Sequence, residues 1–201
     1  MAQIEFPLPI MRKFVQTLSD EIEHETFTAV IKKSGLPKTW AHAEYFVTIN
    51  NEQAAQAYAR LQSALRVYYG RGARGILLRI GTKLWAQLLA DASFGIKTQA
   101  SLIRGLPKIL KRKQALELLA KLLSTKRNDI TIHTLDLDLL FVDSTSATTL
   151  NQTDDTPVCF VTLGLIRECL YWATAEEYNI EERACRAMGA KQCEFKITIG
   201  A

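Results

Sequence analysis

The sequence has few of the residues on which most catalytic sites depend. Histidine occurs only three times in 201 residues, at His24, His42 and His133, and no two of these are spaced as a metal-binding pair. No nucleophile-elbow or phosphate-loop pattern accompanies them, and no site for a hydride donor is recognisable. These absences favour a non-enzymatic role.

Long apolar runs are missing as well. No window approaches the roughly eighteen uninterrupted apolar residues typical of a membrane-spanning helix. Residues 1–14 lack a basic segment followed by a continuous apolar core, so they do not resemble a signal peptide. The sequence therefore predicts a cytoplasmic protein without a transmembrane segment, in which thiols stay reduced.

The composition is that of an ordinary globular chain. Hydrophobic residues make up 48% and charged residues 23%, enough for one substantial core, so we predict a single domain over residues 1–201. The formal charge of +4 permits attraction to an acidic surface without requiring it.

All four cysteines lie in the last quarter of the chain. Cys185 and Cys193 stand symmetrically about Gly189, with strand-forming residues on both sides, which predicts a hairpin that turns near Gly189. Directly opposed residues of such a pair have Cβ atoms about 4.5–5.5 Å apart, which suits a disulfide or a shared metal ion. Cys159 and Glu182 add a third thiol and a carboxylate.

Three interpretations of these cysteines remain open: metal ligation, a disulfide between Cys185 and Cys193, and ordinary buried thiols. A reducing cytoplasm favours metal over a disulfide. In an unbroken strand, Glu182 and Cys185 would point to opposite faces of the sheet. Both can bind one ion only if a bulge or bend lies between them.

This part of the chain resembles the end of the 4-vinyl reductase domain and is similar to the sensor domains of aromatic-responsive transcription activators. The residues that carry the resemblance are Cys159-Phe-Val-Thr-Leu-Gly164 and Glu182-x-x-Cys185-x-x-x-Gly189-x-x-x-Cys193-x-Phe195. In those sensor domains, Cys, Glu, Cys and Cys in this order bind zinc. The resemblance thus implies a structural zinc ion, leaves Cys169 free, and assigns as ligands Cys159, Glu182, Cys185 and Cys193.

The resemblance also implies a fold and a function. Helices come first in the sequence and strands late, without a regular βαβ alternation, which predicts the α+β class. The resemblance implies a helical N-terminal half packed on a small antiparallel sheet, similar to the NO-signalling and Golgi-transport fold. Residues 41–201 would form a dimeric ligand-binding domain for a small hydrophobic or aromatic molecule, and residues 1–40 a helical segment that is a candidate dimerisation element. Candidate ligand-contacting residues are Trp85, His133, Phe141, Tyr171 and Trp172.

Two further functions are alternatives. The chain could be an accessory protein or a reductase of tetrapyrrole (bacteriochlorophyll) metabolism, or a non-catalytic dimeric scaffold that docks on a partner. Because the sequence ends at Ala201, directly after the motif, the sensor interpretation expects a separate partner to carry the signal.

The pattern of hydrophobic residues predicts the positions of the helices and strands. Residues 11–22 form an amphipathic helix that can extend to 31, Asn50 or Asn51 caps the next helix, and residues 76–90 form another. Residues 130–135 and 139–142 read as strands, 144–156 as an exposed mobile loop, and a buried helix begins near Pro157. A closing hairpin spans about 178–187 and 192–199, whereas residues 38–50 are ambiguous, with a short strand permitted at 45–49.

Two other patterns, a glycine motif and a basic stretch, have more than one interpretation. Gly70, Gly72 and Gly75 form a literal G-x-G-x-x-G, but it follows a helical repeat instead of a strand, which favours a helix connection over a nucleotide site.

Residues 104–127 carry eight basic residues against the single acidic Glu117, and the interleaved Ile109, Leu116, Leu119 and Leu123 predict one basic amphipathic helix or two short ones. The alternatives are a solvated helix face, contact with an acidic surface or partner, and contact with nucleic acid, which the lack of aromatic residues makes unlikely.

Overall fold

Seven α-helices and four β-strands make up the regular structure of the residues that this computed structural model describes, which are 4–42, 45, 49–126 and 128–199. Their order, six helices, two strands, one helix and two strands, confirms the predicted α+β class. The helices are α1 (Leu8–Glu21), α2 (His24–Lys33), α3 (Asn51–Tyr69), α4 (Ala73–Ala90), α5 (Phe94–Gly105), α6 (Lys108–Leu123) and α7 (Phe160–Thr174). The strands are β1 (Ile130–Leu135), β2 (Asp138–Asp143), β3 (Asn179–Ala184) and β4 (Cys193–Thr198).

The N-terminal apolar repeat divides into two helices. Ile22 follows α1 with an extended backbone (φ −128°, ψ 152°), so the longer helix that the sequence permits is interrupted there and resumes as α2. After α2, Gly35 has φ +68°, a conformation that favours glycine and stops the helix as predicted. Most of the predicted strand at 45–49 lies outside the described residues.

α3 begins at the predicted cap. The Asn50 side chain accepts a hydrogen bond from the Gln53 backbone N–H at 2.8 Å, and the Gln53 side chain accepts one from the Asn50 N–H at 3.0 Å. This capping box satisfies two backbone donors that the helix leaves unpaired. The G-x-G-x-x-G segment connects α3 to α4 through a short 3₁₀ turn at Gly70–Gly72, which agrees with its interpretation as a helix connection.

α4 and α7 pack against each other through two glycines. A Cβ atom on Gly81 would lie 2.2 Å from the Val161 carbonyl oxygen, and one on Gly164 would lie 2.3 Å from the Leu78 carbonyl oxygen. The helix backbones therefore approach more closely than any side chain would allow.

The sheet is antiparallel throughout, with strand order β1-β2-β4-β3. Phe141 of β2 is paired with Phe195 of β4, and both side chains are fully buried in the core. That core is continuous with the apolar faces of α1, α3, α4 and α7, so the N-terminal helices and the sheet share one interior.

Residues 144–156 depart from the sequence prediction. Residues 146–149 are buried, because Ser146, Thr148 and Thr149 pack inside the molecule around a short 3₁₀ turn. Gln62 Nε2 donates to Thr148 Oγ1 at 3.2 Å, and Thr149 Oγ1 donates to the Ser146 carbonyl at 2.9 Å. These hydrogen bonds let a polar segment lie inside the protein.

α7 also begins later than predicted, at Phe160, three residues after Pro157. Among the described residues, no helix is both long enough and apolar enough to cross a membrane.

Candidate metal centre

Three separate pieces of chain bring four potential ligands together. Cys159 is the residue before α7, Glu182 lies in β3, Cys185 follows β3, and Cys193 begins β4. One ligand atom of each lies within 4.8 Å of the others, and all four residues are buried. Among the described residues, this is the cluster of cysteine and carboxylate groups that could hold a metal ion.

A β-bulge makes the cluster possible. Glu182 is paired with Phe195, but Ala184 is paired with Glu194, so the β3–β4 register shifts between Glu182 and Ala184. The extra residue turns Cys185 to the face on which Glu182 lies. This is the irregularity that the spacing of Glu182 and Cys185 requires.

The sulfur geometry suits an ion better than a disulfide. All four cysteines are free, and the Sγ atoms of Cys159 and Cys193 are 3.6 Å apart, against about 2.05 Å in a disulfide. Around a tetrahedral ion with metal–sulfur bonds of about 2.3 Å, two ligand sulfurs are about 3.8 Å apart. The observed separation is close to that value.

Backbone N–H groups point at the cluster. The Cys159 N–H donates to Glu182 Oε2 at 3.0 Å, and the Arg186 N–H donates to Cys193 Sγ at 3.4 Å. The other carboxylate oxygen, Glu182 Oε1, is buried without a hydrogen-bond partner. A buried carboxylate oxygen without a partner is energetically costly, and a cation would satisfy it.

The protonation of the cluster reflects the close packing of acidic groups. Burial raises the pKa of Glu182 to about 8. Hydrogen bonds with Cys185 and Cys193, together with burial, raise the pKa of Cys159, whereas hydrogen bonds from Cys159 and Cys193 lower that of Cys185. The close packing thus opposes ionisation of all four groups together, and a bound cation would favour loss of their protons.

Positive charge near the cluster comes from a residue that sequence spacing did not reveal. Arg66, on α3, is within electrostatic reach of Cys159 and Cys185, and burial lowers its pKa. Its guanidinium donates to Gln152 Oε1 at 3.1 Å and lies 3.8 Å from Asp154. Arg66 is more than ninety residues before Cys159 in the sequence, so only the fold brings it here.

The fourth cysteine lies apart from the cluster. Cys169 is buried in the middle of α7, where its Sγ donates to the Ala115 carbonyl at 3.2 Å. Burial raises the pKa of its thiol. Cys169 is thus a neutral core thiol, as expected from the sequence.

The five predicted ligand-contacting residues do not converge on one site. Trp85 and Trp172 form an edge-to-face pair with ring centroids 5.4 Å apart, and Phe141 packs in the same way on Phe195. Tyr171 is half exposed on α7, and His133 is exposed on β1, where it is hydrogen-bonded to Thr131.

A cleft of about 690 Å³ opens beside the cluster instead. Its walls come from the start of α4, the segment before α7 and strand β3, and they include Glu182 itself. The guanidinium of Arg74 lies 5.8 Å from the centroid of the Phe160 ring on this wall, a cation–π arrangement. Nothing in the sequence pattern marked this cleft, because its residues come from three distant segments.

Comparison with known proteins finds a family model that matches part of the sequence and solved structures that match most of the chain. Residues 143–199 match the family model of the 4-vinyl reductase domain. No curated protein sequence matches the chain.

Two solved structures share the fold. The phenol-responsive sensory domain of the transcription activator PoxR, crystallised with phenol, is 14% identical with a TM-score of 0.51, over 71% of this chain and 73% of that one. A structure from work on heme distortion in the H-NOX family is 15% identical with a TM-score of 0.51, over 94% of this chain and 91% of that one. At such identities the likeness concerns the fold alone. The resemblance read from the sequence is confirmed: residues 143–199 of this chain match the 4-vinyl reductase domain family.

Proposed function

We propose that this chain is a small-molecule-binding module, a sensor or carrier for a hydrophobic or aromatic ligand, stabilised by one structural zinc ion. The observation that carries the proposal is the convergence of Cys159, Glu182, Cys185 and Cys193 within 4.8 Å. Four ligand-type residues from three segments meet in a buried place where uncompensated acidic groups would be costly.

The donor set favours zinc. Soft thiolates select zinc, copper(I) or iron–sulfur clusters, and three thiolates with one carboxylate can complete a tetrahedron. Four protein ligands leave no open position for water, so the site is structural. Their four negative charges exceed the two positive charges of a zinc ion, and Arg66 and the backbone donors at Cys159 and Arg186 offset part of the excess.

We place the ligand in the cleft beside the metal centre. A volume of about 690 Å³ is within the usual range for small-molecule sites, and Phe160 offers an aromatic face. The charged residues that line the cleft are Arg74, Glu181 and Glu182, so the phenolate or carboxylate of a planar ligand would pair with Arg74. Because Glu182 belongs both to the cleft and to the metal cluster, metal binding fixes one wall of the ligand site.

The match to the 4-vinyl reductase domain and the phenol-sensing neighbour support this class of function for the chain. They favour neither the reductase nor the scaffold alternative. The homodimer remains a prediction. A separate role for residues 1–40 also remains a prediction, and the apolar residues Met11 and Phe14 of α1 are buried within the chain itself.

Native mass spectrometry of the purified protein tests the proposal. We expect one zinc ion per chain, and the same spectrum reports whether the protein is a dimer. Cys193→Ser should lose the metal, whereas Cys169→Ser, which replaces a buried thiol away from the cluster, should retain it. Equal metal content in the two variants would contradict the proposed ligand set.

Ligand binding is tested by calorimetry with benzoate and phenol. We expect Arg74→Ala to weaken benzoate binding more than phenol binding, and Arg71→Ala, an exposed arginine outside the cleft, to change neither. No binding of either compound, or an equal effect of both substitutions, would exclude this cleft as the ligand site.

A further inference from the structure

The α5–α6 hairpin exposes large apolar side chains that the core does not use. Leu102 is 68% exposed, Ile109 79% and Leu110 53%, and all three lie within a few residues of the turn at 106–107. The sequence predicts a basic amphipathic helix with Ile109, Leu116 and Leu119 as apolar residues; the structure buries the two leucines and leaves Ile109 exposed. Single exposed apolar residues are common, but a group around one turn points to an interaction surface.

Few side chains near the turn of the hairpin reach the core. α5 contributes only the narrow stripe Ile96, Ala100 and Ile103 to the interior. The first seven residues of α6, 108–114, include no buried side chain. We call the turn and the adjoining ends of both helices, residues 102–113, the hairpin tip. Apart from buried Ile103 and the ion-paired Lys108 and Arg112, its side chains are exposed or half-buried and can meet another surface.

The charge of this region has one sign. From residue 94 to residue 113 the chain has six basic residues and no acidic one. Two of these six, Lys108 and Arg112, are paired with Glu176, which follows α7. Among the described residues, no carboxylate forms an ion pair with the remaining four: Lys97, Arg104, Lys111 and Lys113.

We propose that the hairpin tip docks on an anionic lipid bilayer, with Leu102, Ile109 and Leu110 entering the interface and the lysines and arginine facing lipid phosphates. Interleaved basic and apolar side chains on a projecting helical surface suit a membrane interface. Basic residues near an anionic leaflet are attracted to its negative surface potential. A single-stranded nucleic acid would need aromatic stacking residues, and the tip has none.

Co-sedimentation of the full-length, metal-loaded protein with vesicles tests this proposal. We expect binding to vesicles of phosphatidylcholine with about 30% phosphatidylglycerol, weaker binding as salt rises, and little binding to phosphatidylcholine alone. The double variants Leu102→Ser/Ile109→Ser and Arg104→Glu/Lys113→Glu should each reduce the partition coefficient by about tenfold or more.

Matched controls replace equally exposed residues elsewhere. Val67→Ser/Leu137→Ser removes two exposed apolar side chains, and Lys38→Glu/Lys191→Glu reverses two exposed charges, so both variants should bind like the unaltered protein. Equal loss in tip and control variants would overturn the proposal. So would binding to polyglutamate without binding to anionic vesicles, which would identify an acidic polypeptide as the partner.

Discussion

Glu182 belongs both to the candidate metal centre and to the cleft beside it. Its Oε2 accepts the Cys159 N–H, its Oε1 has no hydrogen-bond partner, and its side chain forms part of the cleft wall. Because burial excludes water, the pKa of the Glu182 carboxyl group is raised. A cation bound in the cluster would provide a positive charge next to the ionised carboxylate.

Glu182→Gln should therefore weaken zinc binding strongly. Loss of a hydrogen-bond partner of a metal ligand costs about 10–100-fold in affinity, and loss of the ligand itself should cost at least as much. The control is Glu181→Gln, the adjacent and exposed residue of β3, which should leave the affinity unchanged. Competition with a chromophoric chelator measures the zinc affinity of both variants. Equal zinc affinities of Glu182→Gln and Glu181→Gln would show that Glu182 is not a ligand.

At this scale the sequence indicated the four cluster residues, because their types, order and spacing form a recognisable motif. It also indicated the need for a bulge, since strand alternation alone separates Glu182 from Cys185. It could not indicate Arg66 or the cleft, which depend on how α3, α4 and β3 are placed in space.

Helix α7 is the element that connects the metal centre to the helical half of the fold. Its N-terminal neighbour Cys159 belongs to the cluster, and one turn later Gly164 meets Gly81 of α4. A displacement of α7 away from α4 would therefore also move a metal ligand.

Gly164→Ala should destabilise the protein by about 3 kcal/mol, because the new methyl group would meet the Leu78 carbonyl and neither backbone can yield easily. The control is Gly95→Ala, a helical glycine with open space around it, which should leave the stability unchanged or slightly higher. Urea unfolding measures both. Similar stabilities for the two variants would show that α4 and α7 are not held in close contact.

The ion pairs between the start of α6 and Glu176 should respond to acid. Hydrogen bonds from Lys108 and Tyr178, with further contributions from Arg112, lower the pKa of Glu176 to about 2. Because this folded-state pKa lies below the unfolded value, the contribution is complete above about pH 5 and is lost as the pH falls toward 2.

When the pH is lowered from about 5 to 3, the free energy of unfolding of the Glu176→Gln variant should therefore fall less than that of the unaltered protein. Glu177→Gln, at the exposed neighbouring residue, should follow the unaltered protein. Urea midpoints across this range provide the measurement. If Glu176→Gln and the unaltered protein show the same acid dependence, Glu176 does not fasten α6.

Elements with strong periodicity were predictable, including β1, β2, the closing hairpin and the Asn50 cap. The burial of residues 146–149 was not, because serine and threonine satisfy their hydroxyl groups with partners from α3 and from within the turn. Local composition indicates a loop but cannot show that the rest of the fold covers it.

The described part of the chain combines one continuous core with a candidate metal centre near its C-terminal end. The helices and the sheet share that core, so most of the stability is independent of the ion, while the cluster joins the start of α7 to the β3–β4 hairpin. The α+β class was predictable from the order of elements, whereas the sheet order β1-β2-β4-β3 follows from long-range pairing that no local pattern specifies.

Removing the metal should lower the melting temperature without unfolding the chain at room temperature. With free zinc at about a thousand times its Kd, binding contributes about 4 kcal/mol. Each kcal/mol corresponds to about 2–4 °C for a chain of this size, so we expect a fall of about 8–16 °C. Differential scanning calorimetry with and without a chelator measures it, and Cys193→Ser should show no chelator effect.

The central claim is that three sulfur atoms and one carboxylate oxygen surround a single ion. X-ray absorption at the zinc edge of the purified protein tests it most directly, because it reports the identity and distance of the ligand atoms. We expect three sulfur atoms at about 2.3 Å and one oxygen at about 2.0–2.2 Å. A zinc ion with only nitrogen and oxygen neighbours, or a protein that binds no zinc after reconstitution, would contradict the account.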